Sequence, residues 1–266
     1  MYPQSVVILG LLGFSLCGAT VGETDRFIPL IHDGGGWTTQ ITIVNLSDKQ
    51  ALVVTSLITA KGANETWPLL LKATQGKVSR NNVESILPPG ALTVIETSGT
   101  PDQLTRGFAD VIEFQDLPIG AFARLIKRDK GQIVQSFTVP ILPAHESKSI
   151  LPLDLSDPAV DLEIALVSPT YSTTLAINFR KDTGEIAFSD YLSFDGRSQI
   201  FVKPLELWPQ LKDFRGTMEW KVSFPNADRY EYRYLSSVAI WGSGGQAWAA
   251  SPVMTLKADQ LNVRPY

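Results

Sequence analysis

The chain has 266 residues, of which 44% are hydrophobic and 19% charged, so a packed core is expected and a disordered chain is excluded. The formal net charge of -4, without a dense run of Lys and Arg, argues against nucleic-acid binding, which needs a basic surface. The single cysteine, Cys17, excludes a disulfide within the chain and a cysteine-based metal site.

The first predicted element is an export signal. Residues 6–19 read VVILGLLGFSLCGA, which is typical of the apolar segment of a secretory signal and too short for a membrane span of about 20 residues. We expect a cleavable signal peptide over residues 1–22 and an extracellular, periplasmic or cell-surface protein with no transmembrane helix in the mature chain. No Lys or Arg precedes the run, as a secretory signal usually requires, and Cys17 could carry a lipid, so a lipid anchor on Cys17 and an uncleaved membrane anchor stay open as less favoured alternatives.

The first half of the mature chain predicts a series of short strands. Apolar residues alternate with polar ones or are β-branched, and turn residues separate the runs, as at Pro88 and Gly90. The predicted strands are residues 39–45, 51–59, 91–96, 108–114, 121–126 and 132–139. Long amphipathic helices are missing, so the pattern favours an all-β, antiparallel sandwich over an α/β fold.

The second half repeats this order of strands. Residues 162–168 correspond to 40–45, 215–222 to 106–113, and 235–241 to 119–125. We therefore predict two tandem β-sandwich domains, over residues 23–145 and 146–255, followed by a C-terminal tail over 256–266 that could cover a sheet edge. The best helix candidate is residues 205–212, which Pro209 limits to a turn or two.

A family resemblance rests on residues 27–45, which read FIPLIHDGGGWTTQITIVN, and on the later Pro-Pro-Gly turn at 88–90. These phrases resemble the opening of tandem repeat modules in uncharacterised secreted bacterial proteins. The resemblance spans both halves, but the second half lacks the Gly-Gly-Gly-Trp phrase, and Leu46 stands where proline is usual. It implies an extracytoplasmic immunoglobulin-like or fibronectin-like sandwich, and it implies no catalytic residue.

Two acidic stretches are candidate ligand sites. Asp33 leads into three glycines, whose amides could hold an anion while the carboxylate could bind Ca²⁺, but a turn with positive φ is the preferred explanation of the glycines. Asp154, Asp157 and Asp161 form a second stretch, but their spacing does not match a calcium loop. A structural role is favoured for both stretches.

The six tryptophans raise the possibility of sugar binding. Trp37 and Trp67 lie near predicted loops, where an exposed indole could stack on a sugar ring. Trp220, Trp241 and Trp248 fall within predicted strands, where packing in the core is expected. We keep Trp37 and Trp67, with Asp33, as the candidate ligand-binding residues.

Only two histidines are present, His32 and His145, and no nucleophile elbow accompanies them. We therefore predict no catalytic residue, no metal site and no cofactor. The favoured function is a non-catalytic structural, binding or adhesion module that meets a cell-surface protein or glycan. A carbohydrate-binding protein using exposed tryptophans and a secreted hydrolase using carboxylates in a groove between the domains are the alternatives. The sequence does not predict the oligomeric state.

Overall fold

A computed structural model describes residues 26–62, 67, 71–99, 102–143, 148–169, 171–223, 235–244 and 246–256. The predictions for the export signal, for Cys17, for His145 and for most of the C-terminal tail lie outside these residues. The side chain of Trp248 also lies outside them.

The first half of the chain folds into two antiparallel sheets. Its strands are β1 (Arg26–Asp33), β2 (Trp37–Asn45), β3 (Ala51–Thr59), β4 (Leu71–Ala73), β5 (Lys77–Ser79), β6 (Asn82–Leu87), β7 (Leu92–Thr97), β8 (Thr105–Glu113), β9 (Ile119–Asp129), β10 (Gln132–Pro140) and β11 (Leu142–Pro143). Sheet 1 has the order β11-β1-β8-β3-β6-β5, and sheet 2 has the order β10-β9-β2-β7-β4. The two sheets form the first sandwich.

The second half forms two more antiparallel sheets. Its elements are β12 (Lys148–Asp154), β13 (Asp161–Ser168), β14 (Thr173–Lys181), β15 (Ile186–Phe194), β16 (Ser198–Val202), helix α1 (Pro204–Leu207), a 3-10 turn (Pro209–Leu211), β17 (Arg215–Ser223), β18 (Ser236–Ser243), β19 (Gln246–Pro252) and β20 (Met254–Leu256). Sheet 3 has the order β15-β14-β17-β12-β20, and sheet 4 has the order β16-β13-β18-β19. The predicted all-β antiparallel sandwich fold is confirmed, and so is the short helical crossover interrupted at Pro209.

The strand order is the same in the two halves. The matching pairs β12, β13 and β14 with β1, β2 and β3, then β15 and β16 with β6 and β7, and finally β17 to β20 with β8 to β11. With this matching, sheet 3 has the strand order of sheet 1 without β5, and sheet 4 has the strand order of sheet 2 without β4. An Arg-Gly pair lies near the start of both strands, directly after Thr105 in β8 and at the first two residues of β17. A side chain at Gly107 or Gly216 would meet the carbonyl of Ile58 or Arg180 on the neighbouring strand. Glycine is therefore required at the same point of both sandwiches.

Period-two alternation places the core. Along β2 every second residue is buried, and Ile41 and Ile43 are fully covered by sheet 1. Along β13, in contrast, both faces are buried. Leu162, Ile164 and Leu166 point into the core of the second sandwich, whereas Ala165 and Val167 point towards the first. Because β13 is central in sheet 4, the outer face of that sheet cannot face solvent.

The outer face of sheet 4 packs against the first sandwich along β1, β3 and β10. Val167 joins a buried cluster with Phe27, Ile58 and Phe108 of sheet 1. Ala165, Val238 and Ile240 belong to the core cluster of the first sandwich, while the second sandwich has a separate core formed by its own residues. The sequence pattern predicts a closed core in each half, but the core of the first half continues into the second.

Gln199 donates two hydrogen bonds across this interface. The Gln199 amide donates to the carbonyl of Ala60 at 3.1 Å, and the Gln199 side chain donates from Nε2 to the carbonyl of Pro29 at 2.5 Å. Backbone groups of β1 and of the turn after β3 are thus satisfied by the second sandwich. An interface with an apolar centre and buried hydrogen bonds favours a fixed arrangement of the two halves.

Candidate functional site

The corner between β1 and β2 contains the Asp-Gly-Gly-Gly phrase. Gly34, Gly35 and Gly36 all have positive φ, at 78°, 58° and 83°. The amide and carbonyl of Gly34 exchange hydrogen bonds with Trp37, both at 3.0 Å. The Gly36 carbonyl accepts a bond from the Arg128 amide at 2.8 Å, and a Cβ at Gly36 would lie 2.7 Å from the Arg128 carbonyl oxygen. The glycines therefore serve a tight turn docked on β9.

Asp33 is directed into the protein and not towards solvent. Its side chain is fully buried, and Oδ1 accepts hydrogen bonds from the amides of Gly34 at 3.0 Å and Gly99 at 2.7 Å. Burial raises the pKa of this carboxyl, while the hydrogen bonds from the Gly99 and Gly34 amides oppose the rise. The structure thus gives Asp33 a structural role, holding the β1–β2 corner to the segment after β7.

The two tryptophans proposed for sugar stacking are both packed inside the first sandwich. Trp67 is 2% exposed and belongs to its core cluster. Trp37 is 7% exposed and makes edge-to-face contacts with the rings of His32 and Phe137, at centroid distances of 5.0 and 5.9 Å. The Nζ atom of Lys127 lies 5.8 Å from the centre of the Trp37 ring. Neither residue presents the exposed indole face that the sequence prediction required.

His32 is a buried histidine that no function predicted from the sequence uses. It is 5% exposed, and among the described residues neither ring nitrogen has a hydrogen-bond partner. Burial, together with the nearby charge of Arg106, lowers its pKa to about 3, so the ring is neutral at physiological pH. His32 stands opposite Arg106 in the pairing of β1 with β8, which puts both side chains on the outer face of sheet 1.

His32 lines a cleft of about 430 Å³ between the two sandwiches. The first sandwich contributes Trp37, Leu104, Arg106, Lys127 and Gln135 besides His32, and the second contributes the residues around the start of β13 and helix α1. The lining of the second sandwich comprises Leu155, Val160, Asp161, Leu162, Glu163, Lys203, Pro204, Leu205, Glu206, Ile240 and Gly242. The volume falls within the range of about 300–1,000 Å³ that is usual for small-molecule sites.

The charges of the cleft are balanced and largely paired. Arg106 Nη1 lies 2.9 Å from Glu163 Oε1, and its guanidinium stands 4.5 Å from the ring centre of Phe201. Lys203 Nζ lies 2.8 Å from Glu206 Oε1, and the hydrogen bond and charge of Glu206 raise the pKa of Lys203. Lys127 and Asp161 add one further charge of each sign. The lining therefore combines an apolar wall, ion pairs and neutral polar groups.

Sequence reasoning missed this cleft. Its residues come from several strands and one helix of two sandwiches, and no contiguous motif marks them. One signal was available, because β13 carries Ala165 and Val167 at positions that a strand open to solvent would fill with polar residues. That pattern marks the interface on which the cleft lies, although not the cleft itself.

Within the part of the chain that the structure describes, no helix has the length and apolar character needed to cross a bilayer, and no three His, Cys, Asp or Glu side chains converge as metal ligands. No protein-family model, no curated protein and no solved structure matches the chain with significant similarity.

Proposed function

We propose that the protein is a non-catalytic extracytoplasmic binding module whose ligand occupies the cleft between the two sandwiches. The observation that carries this proposal is the cleft itself, a space of about 430 Å³ bounded by apolar residues together with charged and neutral polar side chains of both sandwiches. A concave, mostly apolar space with a few polar groups is typical of small-molecule sites. The hydrolase alternative gains less support, because Glu163 and Glu206 are held by cations.

A library screen with a matched pair of variants tests this proposal. Leu205 and Leu207 lie on helix α1 with 39% and 47% exposure, and only Leu205 lines the cleft. Leu205→Trp should fill the cleft and abolish binding of a compound found by native mass spectrometry, whereas Leu207→Trp should leave binding intact. Binding that survives Leu205→Trp would place the site elsewhere, and turnover of a sugar polymer or ester by the purified protein would contradict a non-catalytic role.

The extracytoplasmic location is supported by the apolar run at residues 6–19. If the run is a cleaved signal, the mature protein recovered from a secreting host should begin near residue 20 or 23. Intact-mass analysis distinguishes this outcome from a lipid anchor, which would add acyl mass to Cys17. A full-length chain retained in the cytoplasm would contradict the proposed location.

The tandem-repeat origin is supported by the shared strand order and by the Arg-Gly pairs of β8 and β17. If a duplication produced the two halves, a profile built from homologues of one half should align with the other half, with β2 on β13 and β8 on β17. An alignment in another register would contradict it.

A further inference from the structure

The outer face of sheet 2, on the side away from the core, carries an apolar patch at one end. Strand pairing sets its members side by side on β7, β2 and β9, because cross-strand neighbours share a face of the sheet. Leu46, Leu92 and Phe122 are 63%, 46% and 42% exposed. Together with the half-buried Val44 and Val94, they are called the sheet 2 patch. A contiguous exposed apolar surface of this kind is typical of an interaction site.

The corresponding face of the second sandwich is already an interface. Sheet 4 has the strand order of sheet 2, and its outer face packs against the first sandwich through residues that include Ala165 and Val167. One face of this fold therefore makes the contact between sandwiches within the chain. The equivalent face in sheet 2 is apolar as well, but it remains exposed.

A head-to-tail contact between copies lacks the surface that it would need. Within the chain, sheet 4 packs on Ile58 and Phe108, which are paired on β3 and β8. The equivalent pair in sheet 3, counted from the Arg-Gly pairs, is Arg180 and Thr217. Arg180 is also held by Glu219 at 2.9 Å, and a charged surface is costly to bury against an apolar one. A contact in which the sheet 2 patch meets itself requires no second surface.

The charges on this face are arranged so that two copies complement each other. In the strand register Gln40 of β2 stands between Glu96 on β7 and Arg124 on β9. A two-fold axis along β2 exchanges the β7 side with the β9 side, so each Glu96 faces Arg124 of the second copy. Lys72 stands beside Glu96 on β4, and the same axis sets it opposite the neutral Thr138 on β10.

We propose that the protein forms a homodimer in which the outer faces of sheet 2 pack on each other about a two-fold axis along β2. The sheet 2 patch of one copy then covers that of the other. Strand spacing and rise give a face of five strands an area of about 700 Å² per copy, close to the roughly 800 Å² that each partner buries in a stable interface. The cleft is lined from the opposite ends of β2 and β9, by Trp37 and Lys127, so this inference does not depend on the proposed function.

Sedimentation velocity over a range of protein concentrations tests the dimer. The wild type should shift from monomer to dimer as its concentration rises. Leu92→Glu should weaken dimerisation about tenfold or more, because the new carboxylate would be buried without a partner. Ile86→Glu is the matched control, because Ile86 is 54% exposed but lies on sheet 1, and this variant should dimerise as the wild type does.

Charge reversal tests the two-fold arrangement itself. Glu96→Arg and Arg124→Glu should each weaken the dimer about tenfold, because like charges then meet across the interface. The double variant should restore it, since the opposite charges face each other again in reversed order. A wild type that stays monomeric, a dimer that survives Leu92→Glu, or a double variant without recovery would overturn the proposal.

Discussion

Asp33 and Asp154 occupy the same place in the two sandwiches, at the last residue of the first strand, and their surroundings are opposite. Asp33 is fully buried, and burial raises its pKa. Asp154 is exposed, and hydrogen bonds from Ser156, followed by the charge of Arg215, lower its pKa. The comparison shows that the same topology accommodates two different local structures at this corner. In the first sandwich a buried carboxylate closes the Gly-Gly-Gly turn, and in the second an exposed carboxylate caps a loop.

The largest expected difference comes from removing each carboxylate. Asp33→Ala removes the acceptor of the Gly99 amide and one of the two acceptors of the Gly34 amide from a buried corner, so we expect a loss of about 2–4 kcal/mol in the free energy of unfolding. Asp154→Ala, at an exposed position, should cost about 0.5 kcal/mol or less. Denaturant unfolding of both variants measures the contrast, and equal losses would show that burial is not what separates the two corners.

Lowering the pH should decrease the free energy of unfolding through His32. The pKa of His32 is about 3 in the folded protein and about 6.5 in the unfolded chain. Between these two values only the unfolded chain is protonated at this residue, so the free energy of unfolding decreases as the pH falls from 6.5 towards 3. At about 1.4 kcal/mol per pH unit for one proton, wild type should lose about 2–3 kcal/mol between pH 6 and pH 4 from this group. Unfolding of His32→Phe over the same range should show a correspondingly shallower decline.

Over part of that pH range, the titration of Asp33 changes the free energy of unfolding in the opposite direction. Since its folded pKa is raised above 3.8, its contribution to stability is full below that value and is lost as the pH rises through the folded pKa. The difference between wild type and His32→Phe isolates the histidine, because Asp33 is present in both. Parallel stability curves for the two proteins would refute the assignment of a depressed pKa to His32.

The glycine turn offers an intermediate effect with its own control. Gly36 and Gly131 share a φ of 83°, but only Gly36 has an atom, the Arg128 carbonyl oxygen, in the space of a Cβ. Gly131→Ala should cost about 1 kcal/mol through backbone strain, and Gly36→Ala about 1–2 kcal/mol more through the clash. Thermal unfolding ranks the two variants, and the reverse ranking would contradict the close docking of the turn on β9.

The smallest expected difference in stability concerns the two arginines near the start of β8 and β17, Arg106 and Arg215. Arg106 pairs with Glu163 across the interface at partial burial, whereas Arg215 pairs with Asp154 with both side chains mostly exposed. Arg106→Ala should lower stability by about 1 kcal/mol, and Arg215→Ala by a few tenths at most. Raising the salt concentration should weaken the first effect little, because a partly buried pair is screened less than an exposed one.

The fold class and the matching order of strands could be predicted because alternation has period two and glycine, proline and aspartate mark the turns, as in β2 and the turn before β7. The packing of sheet 4 on the first sandwich was beyond such reasoning. Buried residues on both faces of β13 indicate a covered sheet but do not name its partner. The direction of the Asp33 carboxylate was equally beyond prediction, because whether it faces solvent or protein depends on Gly99, which lies 66 residues away in the sequence.

Pairing of the first strand with late strands affects how the chain can fold. β1 is held between β8 and β11, and β12 between β17 and β20, so neither sandwich can close until almost all of its sequence is available. Such distant pairings slow folding, because chain entropy is lost before the contacts form. The first core also waits for Ala165, Val238 and Ile240 of the second half. A nascent chain would thus stay open through most of its synthesis, and its apolar strands would remain exposed until the last strands of each half arrive.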